Sequence, residues 1–121
     1  MIIDHHAHIV PEGILEDLRA GKYAPILRIE QGEKWETLVR EDELSSKVRQ
    51  TQNRIPPEAV DPEIRLSDMK KMDIDHQVLS AITGRTFYPL EAEMAGEIAA
   101  SQNEGLAALV DKYPDKFSCI A

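Results

Sequence analysis

The sequence predicts an α/β chain built on a parallel sheet. A β-branched opening stops at a proline, two later apolar runs have strand length, and helix-period segments separate them. Strand, excursion, helix, strand, helix, strand is a succession of β/α units, the order that lays strands parallel beneath covering helices. With 121 residues, 42% of them hydrophobic, the chain has the size of one domain and enough apolar material for a core.

Residues 2–9 read as the first strand, ended by Pro11. Residues 12–20 follow as a short helix with Ile14, Leu15 and Leu18 on one face and Gly21 beyond its end as a C-terminal cap. Two β-type stretches around Gln31 and Gly32 predict a hairpin over about 26–39, with Trp35 in its own small core. Residues 41–60 are polar and carry Pro56-Pro57, which predicts an irregular connection.

Asp61 then offers an N-cap, Pro62 a first helical position, and Ile64, Leu66, Met69 and Met72 an apolar face. The second strand is Val78 to Ile82, opened by His76, and the loop T-G-R-T-F-Y-P follows. A long Ala-rich helix runs from about Leu90 to Lys112, holding Asn103 in a buried hydrogen bond and stopping at Tyr113-Pro114. F-S-C-I-A begins a third strand.

Charge and cysteine content narrow the function. Against 22 acidic residues stand 14 basic ones, a net charge of −8, and no Lys/Arg cluster tracks a phosphate backbone, so nucleic acid is excluded as a partner. No apolar run approaches the roughly 18 residues that cross a bilayer, so no membrane partner is expected. The single Cys119 makes no intrachain disulfide and reads as strand packing, which suits the reducing cytoplasm.

The chemistry sits in D-H-H-A-H at 4–8. Strand alternation puts Asp4, His6 and His8 on one face and turns His5 toward the helices. His6 and His8 are then about 6.6 Å apart along the strand, near enough for both imidazoles to lean onto one cation. Asp4, one pleat below, is placed to orient a ligand. Taken alone, His-x-His is more often structural or exposed than ligating. Its place at the end of the first strand, before the loop, is where barrel enzymes keep their chemistry.

Four stretches carry a family resemblance: I-D-H-H-A-H-I-V-P at 3–11, D-P-E-I-R-L-S-D-M at 61–69, I-D-H-Q-V-L-S at 74–80 and N-E-G-L-A-A-L-V-D-K-Y-P-D-K-F at 103–117. Together they resemble the amidohydrolase superfamily, in the amidohydrolase-2 branch that contains aminocarboxymuconate-semialdehyde decarboxylase. The resemblance implies the N-terminal part, about three strands, of a metal-dependent hydrolase-type (β/α)8 TIM barrel: one truncated domain over 1–121, with residues 22–60 as a hairpin-containing insertion after the first strand. It makes His6 and His8 ligands of a divalent metal, zinc first, with manganese, iron or cobalt as other fits. The implied reaction is hydrolysis of C–N or C–O bonds, or non-oxidative decarboxylation of an unsaturated or aromatic acid. The substrate is then a small carboxylate, with Arg85, Arg49 and Arg54 as candidates to hold it.

The resemblance also implies two histidines and an aspartate on later strands; none of them is present in these 121 residues, so no catalytic residue is assigned. His76, at the opposite end of its strand from the active face, is expected to be structural. Two other readings stand beside this one. A non-catalytic barrel fragment that folds by self-association or with a complementary piece follows from three strands where a barrel of about 250 residues has eight, and favours a homo-oligomer. A metal-dependent phosphoesterase on a similar barrel fits residues 4–8 but fits 61–117 poorly.

Overall fold

A computed structural model describes residues 1–44, 47–81 and 90–121, with the side chains of 42–53 outside the description. Three strands form the parallel sheet: β1 (Ile3–Ile9), β5 (His76–Ala81) and β6 (Phe117–Cys119), in the order β1-β5-β6. Three helices accompany them: α1 (Glu12–Arg19), α2 (Pro62–Lys71) and α3 (Ala92–Lys112). Each predicted helix is present, and the caps follow the chemistry read from sequence. Asp61 Oδ1 accepts the Glu63 N–H at 2.8 Å with Pro62 at the first helical position, and Gly21 takes φ +75° just past α1.

The excursion departs from expectation. A separate antiparallel sheet is formed by β2 (Leu27–Gln31), β3 (Glu36–Leu44) and β4 (Lys47–Ile55), in that order. The hairpin is as predicted, but its second strand runs five residues further, and the expected irregular connection is largely a third strand. K-V-R-Q-T-Q-N-R-I shows no apolar alternation; its pairing with β3 rests on main-chain hydrogen bonds, which leave no trace in side-chain type. Ile55, at its end, is buried.

Two apolar clusters hold these layers together. One joins Ile14, Leu15 and Leu18 of α1 to Leu27, Leu38 and Ile55 of the small sheet and to Ile98 of α3. The other lies between the parallel sheet and its helices, with Ala7, Ile9, Met69, Leu79, Leu106 and Phe117. α3 belongs to both, through a stripe of Ile98, Gln102 and Leu106 spaced four apart. That phase buries Gln102 and leaves Asn103 exposed, correcting the sequence expectation. Where α3 crosses the start of α1, a Cβ on Gly105 would stand 2.5 Å from Pro11 Cβ, so glycine permits the close approach.

The small sheet is tied to α1 by a two-pronged ion pair. Arg19 Nε and a terminal nitrogen donate to the Glu36 carboxylate at 2.7 and 2.6 Å, and Gln31 Nε2 adds a bond of 2.8 Å. The Arg19 bonds outweigh burial and hold the Glu36 carboxyl below its usual range. A lowered folded pKa stabilises at pH values above the unfolded glutamate value of about 4.3, and that stabilisation disappears as pH falls through the folded value. Glu36→Gln should therefore cost up to about 1 kcal/mol at pH 7, the cost vanishing in acid; denaturant unfolding of both forms across pH checks it.

Candidate metal site

β1 carries its histidines on the face of the parallel sheet away from the helices. Ala7 and Ile9 turn inward and are 7% and 2% exposed, whereas His6 and His8 are open to solvent. The two imidazoles meet edge to face, with ring centroids 5.0 Å apart and an interplanar angle of 87°. Their Nε2 atoms are 3.2 Å apart. Two nitrogens bound at about 2.0–2.1 Å in a tetrahedral shell stand about 3.3 Å from each other, so the pair fits one divalent ion.

The other ring nitrogen of His8 is also placed. Its Nδ1 lies 2.9 Å from Ser80 Oγ on β5, and His8 and Ser80 are register partners. With the Nδ1 proton donated to Ser80, the Nε2 lone pair is the one left for a cation.

Asp4 does not occupy the face expected of it. Asp4 pairs with Gln77 and Ala7 with Leu79, so three steps along β1 match two along β5, an irregularity between Asp4 and Ala7. The shift carries Asp4 to the helix-covered side, where Gln77 Nε2 donates to its Oδ2 at 2.9 Å. Its other oxygen accepts the His6 backbone N–H at 3.2 Å. Asp4 thus reaches the pair through the main chain. The same irregularity leaves His5, expected against the helices, exposed.

Behind Gln77 stands a residue that sequence reasoning passed over. Arg65 of α2 donates from one terminal nitrogen to the His8 carbonyl at 2.6 Å and the Glu58 carbonyl at 2.9 Å, and from the other to Gln77 Oε1 at 3.2 Å. Burial lowers its pKa, opposed by the charges of Asp4, Glu58 and Asp68. A signal was present: Arg65 precedes the buried Met69 by four residues, which puts it on the helix's inward stripe.

The remaining candidates are not gathered at the histidines. Arg54 is exposed on β4, opposite Thr37, and borders an open cleft of about 320 Å³ with Lys34 and Trp35, in the antiparallel sheet rather than the parallel one. Arg49 lies on β4 in register with Asp42, its side chain outside the description. Arg85 lies outside the described residues. His76 has the structural setting expected of it, with Nε2 2.9 Å from Ser118 Oγ and Nδ1 3.3 Å from the Asp115 carbonyl. Cys119, expected to pack, is exposed on the edge strand β6. Among the described residues no group of three or more His, Cys, Asp or Glu side chains is placed to share an ion, so the pair is a half-site. Among them, too, no helix is long and apolar enough to cross a membrane.

No family model matches the chain. It is 27% identical over 117 residues to 2-amino-3-carboxymuconate-6-semialdehyde decarboxylase from Caenorhabditis elegans, a match covering 94% of this chain and 27% of that protein. All of it superposes on 31% of a crystal structure described as amidohydrolase II, with a TM-score of 0.56 and 21% identity, a likeness of fold. The chain therefore spans about a third or less of the length of these proteins. Both likenesses fall on one family: in sequence and in fold, this chain resembles part of an amidohydrolase-2 protein.

Proposed function

We propose that the chain contributes the first-strand metal grip of an amidohydrolase-type enzyme, acting on a small carboxylate by hydrolysis or by non-oxidative decarboxylation. The observation that carries this reading is the 3.2 Å separation of the His6 and His8 Nε2 atoms on the solvent-facing side of β1. Imidazole nitrogen suits zinc first, and manganese, iron or cobalt also accept it. A divalent ion held there polarises a carbonyl or carboxylate oxygen, or lowers the pKa of water toward about 7. In this chain His6 and His8 hold, Ser80 fixes the ring of His8, and Asp4 fixes the main chain at His6. The decarboxylase named among the relatives favours the decarboxylation arm.

A second reading has its own support: association, with copies of itself or with a complementary piece. Among the described residues β1 and β6 are the edges of the parallel sheet, and Met1, Ile2, Ile3 and Ile120 are 98%, 54%, 52% and 61% exposed. One experiment tests the first reading. Metal content and turnover of unsaturated and aromatic carboxylic acids are measured for this chain before and after chelation. The enzyme reading expects zinc to be bound, and any turnover to be abolished by chelation and restored by added zinc; turnover surviving chelation, or a chain that binds no zinc, contradicts it.

A further inference from the structure

We infer that Arg65 is a positioning residue for the histidine pair, and that it makes metal affinity depend on the seating of α2 and of the turn at Pro57–Ala59. The inference rests on the reading of His6 and His8 as ligands, and it assigns Arg65 no contact with the ion. One terminal nitrogen of Arg65 bridges the His8 carbonyl and the Glu58 carbonyl, so a single group clamps the end of β1 to the turn before α2. The other terminal nitrogen holds Gln77 Oε1 at 3.2 Å.

Gln77 is 4% exposed, and its amide leaves little freedom: the oxygen accepts from Arg65, so the nitrogen is turned toward Asp4 Oδ2, 2.9 Å away. Asp4 Oδ1 in turn accepts from the His6 N–H. The relay therefore ends on the main chain of both histidines, on the carbonyl of one and the N–H of the other. The irregularity of β1 falls between Asp4 and Ala7, so pairing with β5 lapses at His5 and His6, while Ala7 and His8 keep their partners Leu79 and Ser80. Two imidazoles that must keep their Nε2 atoms 3.2 Å apart need the backbone at His6 held from another direction.

The half-buried guanidinium carries a desolvation cost that the charges of Asp4, Glu58 and Asp68 offset in part, and the atoms it bonds are neutral carbonyl oxygens. A bulky apolar residue would fill the space without that cost. What it would not do is reach three acceptors from a planar fork, nor would a lysine, with its single ammonium.

The test titrates the whole chain with zinc alone against a chromophoric chelator, at a temperature where denaturant curves show every variant folded. The set is wild type, His8→Ala, Arg65→Lys, Gln77→Leu and the double variant Arg65→Lys/Gln77→Leu. Arg65→Lys and Gln77→Leu should each weaken zinc binding about tenfold, within the roughly 10–100-fold cost of losing a partner behind a ligand, and the double variant should fall short of the product of the two. The visible spectrum of bound cobalt should change in both single variants, a signature that loss of stability alone does not move. If wild type binds zinc, His8→Ala abolishes it and Arg65→Lys binds like wild type, the inference is overturned and the metal reading survives. If wild type binds no zinc, both fall. Should Arg65→Lys fail to fold, Gln77→Leu decides: affinity unchanged from wild type overturns the inference.

Discussion

Replacing His8 with alanine should lower the affinity for a divalent ion by more than the roughly 10–100-fold that losing an outer partner costs, while leaving the fold in place. The asymmetry follows from where the side chain stands. His8 is exposed on the face opposite the core, and among the described residues its side-chain partners are Ser80 and His6, so its removal opens no cavity there. Surface substitutions of this kind stay within about 0.5 kcal/mol of wild-type stability. The ion, however, loses one of the two nitrogens that the described residues bring together. His6→Ala should match it, and His5→Ala, at an exposed position outside the pair, should bind as wild type does. Isothermal titration with zinc and thermal unfolding of the same samples measure the two halves of the expectation. Equal affinity for wild type and His8→Ala would remove the pair from the account.

Phe117→Ala should destabilise the chain by about 3–5 kcal/mol, a large share of the roughly 5–15 kcal/mol that holds a domain of this kind together. Phe117 is 1% exposed and packs with Ala7, Ile9, Met69, Leu79 and Leu106, where strands meet helices. Its ring also meets that of Tyr113 edge to face, at 5.9 Å between centroids. It stands on β6, a strand of three residues that among the described residues pairs only with β5, so side-chain burial rather than ladder length anchors this edge. The effect should reach the metal site indirectly: β5, which carries Gln77 and Ser80, loses packing on its far side. Urea unfolding at fixed pH measures the loss, and a cost below about 1 kcal/mol would mean that the second apolar cluster is not what holds the sheet.

What the sequence disclosed depended on whether the physics at each position leaves a mark on residue type. The parallel units were legible because buried strands and covering helices repeat with different periods, and the caps at Asp61 and Gly21 because those positions favour few residues. His6 and His8 were legible as a pair because two residues apart on a strand means one face. Asp4 was misplaced by the same rule, since the irregularity before Ala7 adds a step that alternation cannot foresee. β4 was missed because its pairing is written in the main chain. Arg65 was missed for another reason: a charged residue on a helix, even between Ile64 and Leu66, reads as solvent-facing until its distance from Met69 is counted. Arg54 shows the reverse, a residue type suited to a carboxylate that the fold places beside Trp35 and Lys34 instead.

The central claim is that His6 and His8, and not the other two histidines, grip one ion through Nε2. Imidazole nitrogen resonances followed during a zinc titration of the folded chain test it most directly. The account predicts that the Nε2 signals of His6 and His8 shift together and saturate at one equivalent, with His8 keeping its Nδ1 proton on Ser80, while His5 and His76 stay unmoved. Movement of His5 or His76 in step with zinc, or a titration that leaves His6 and His8 where they began, would contradict it.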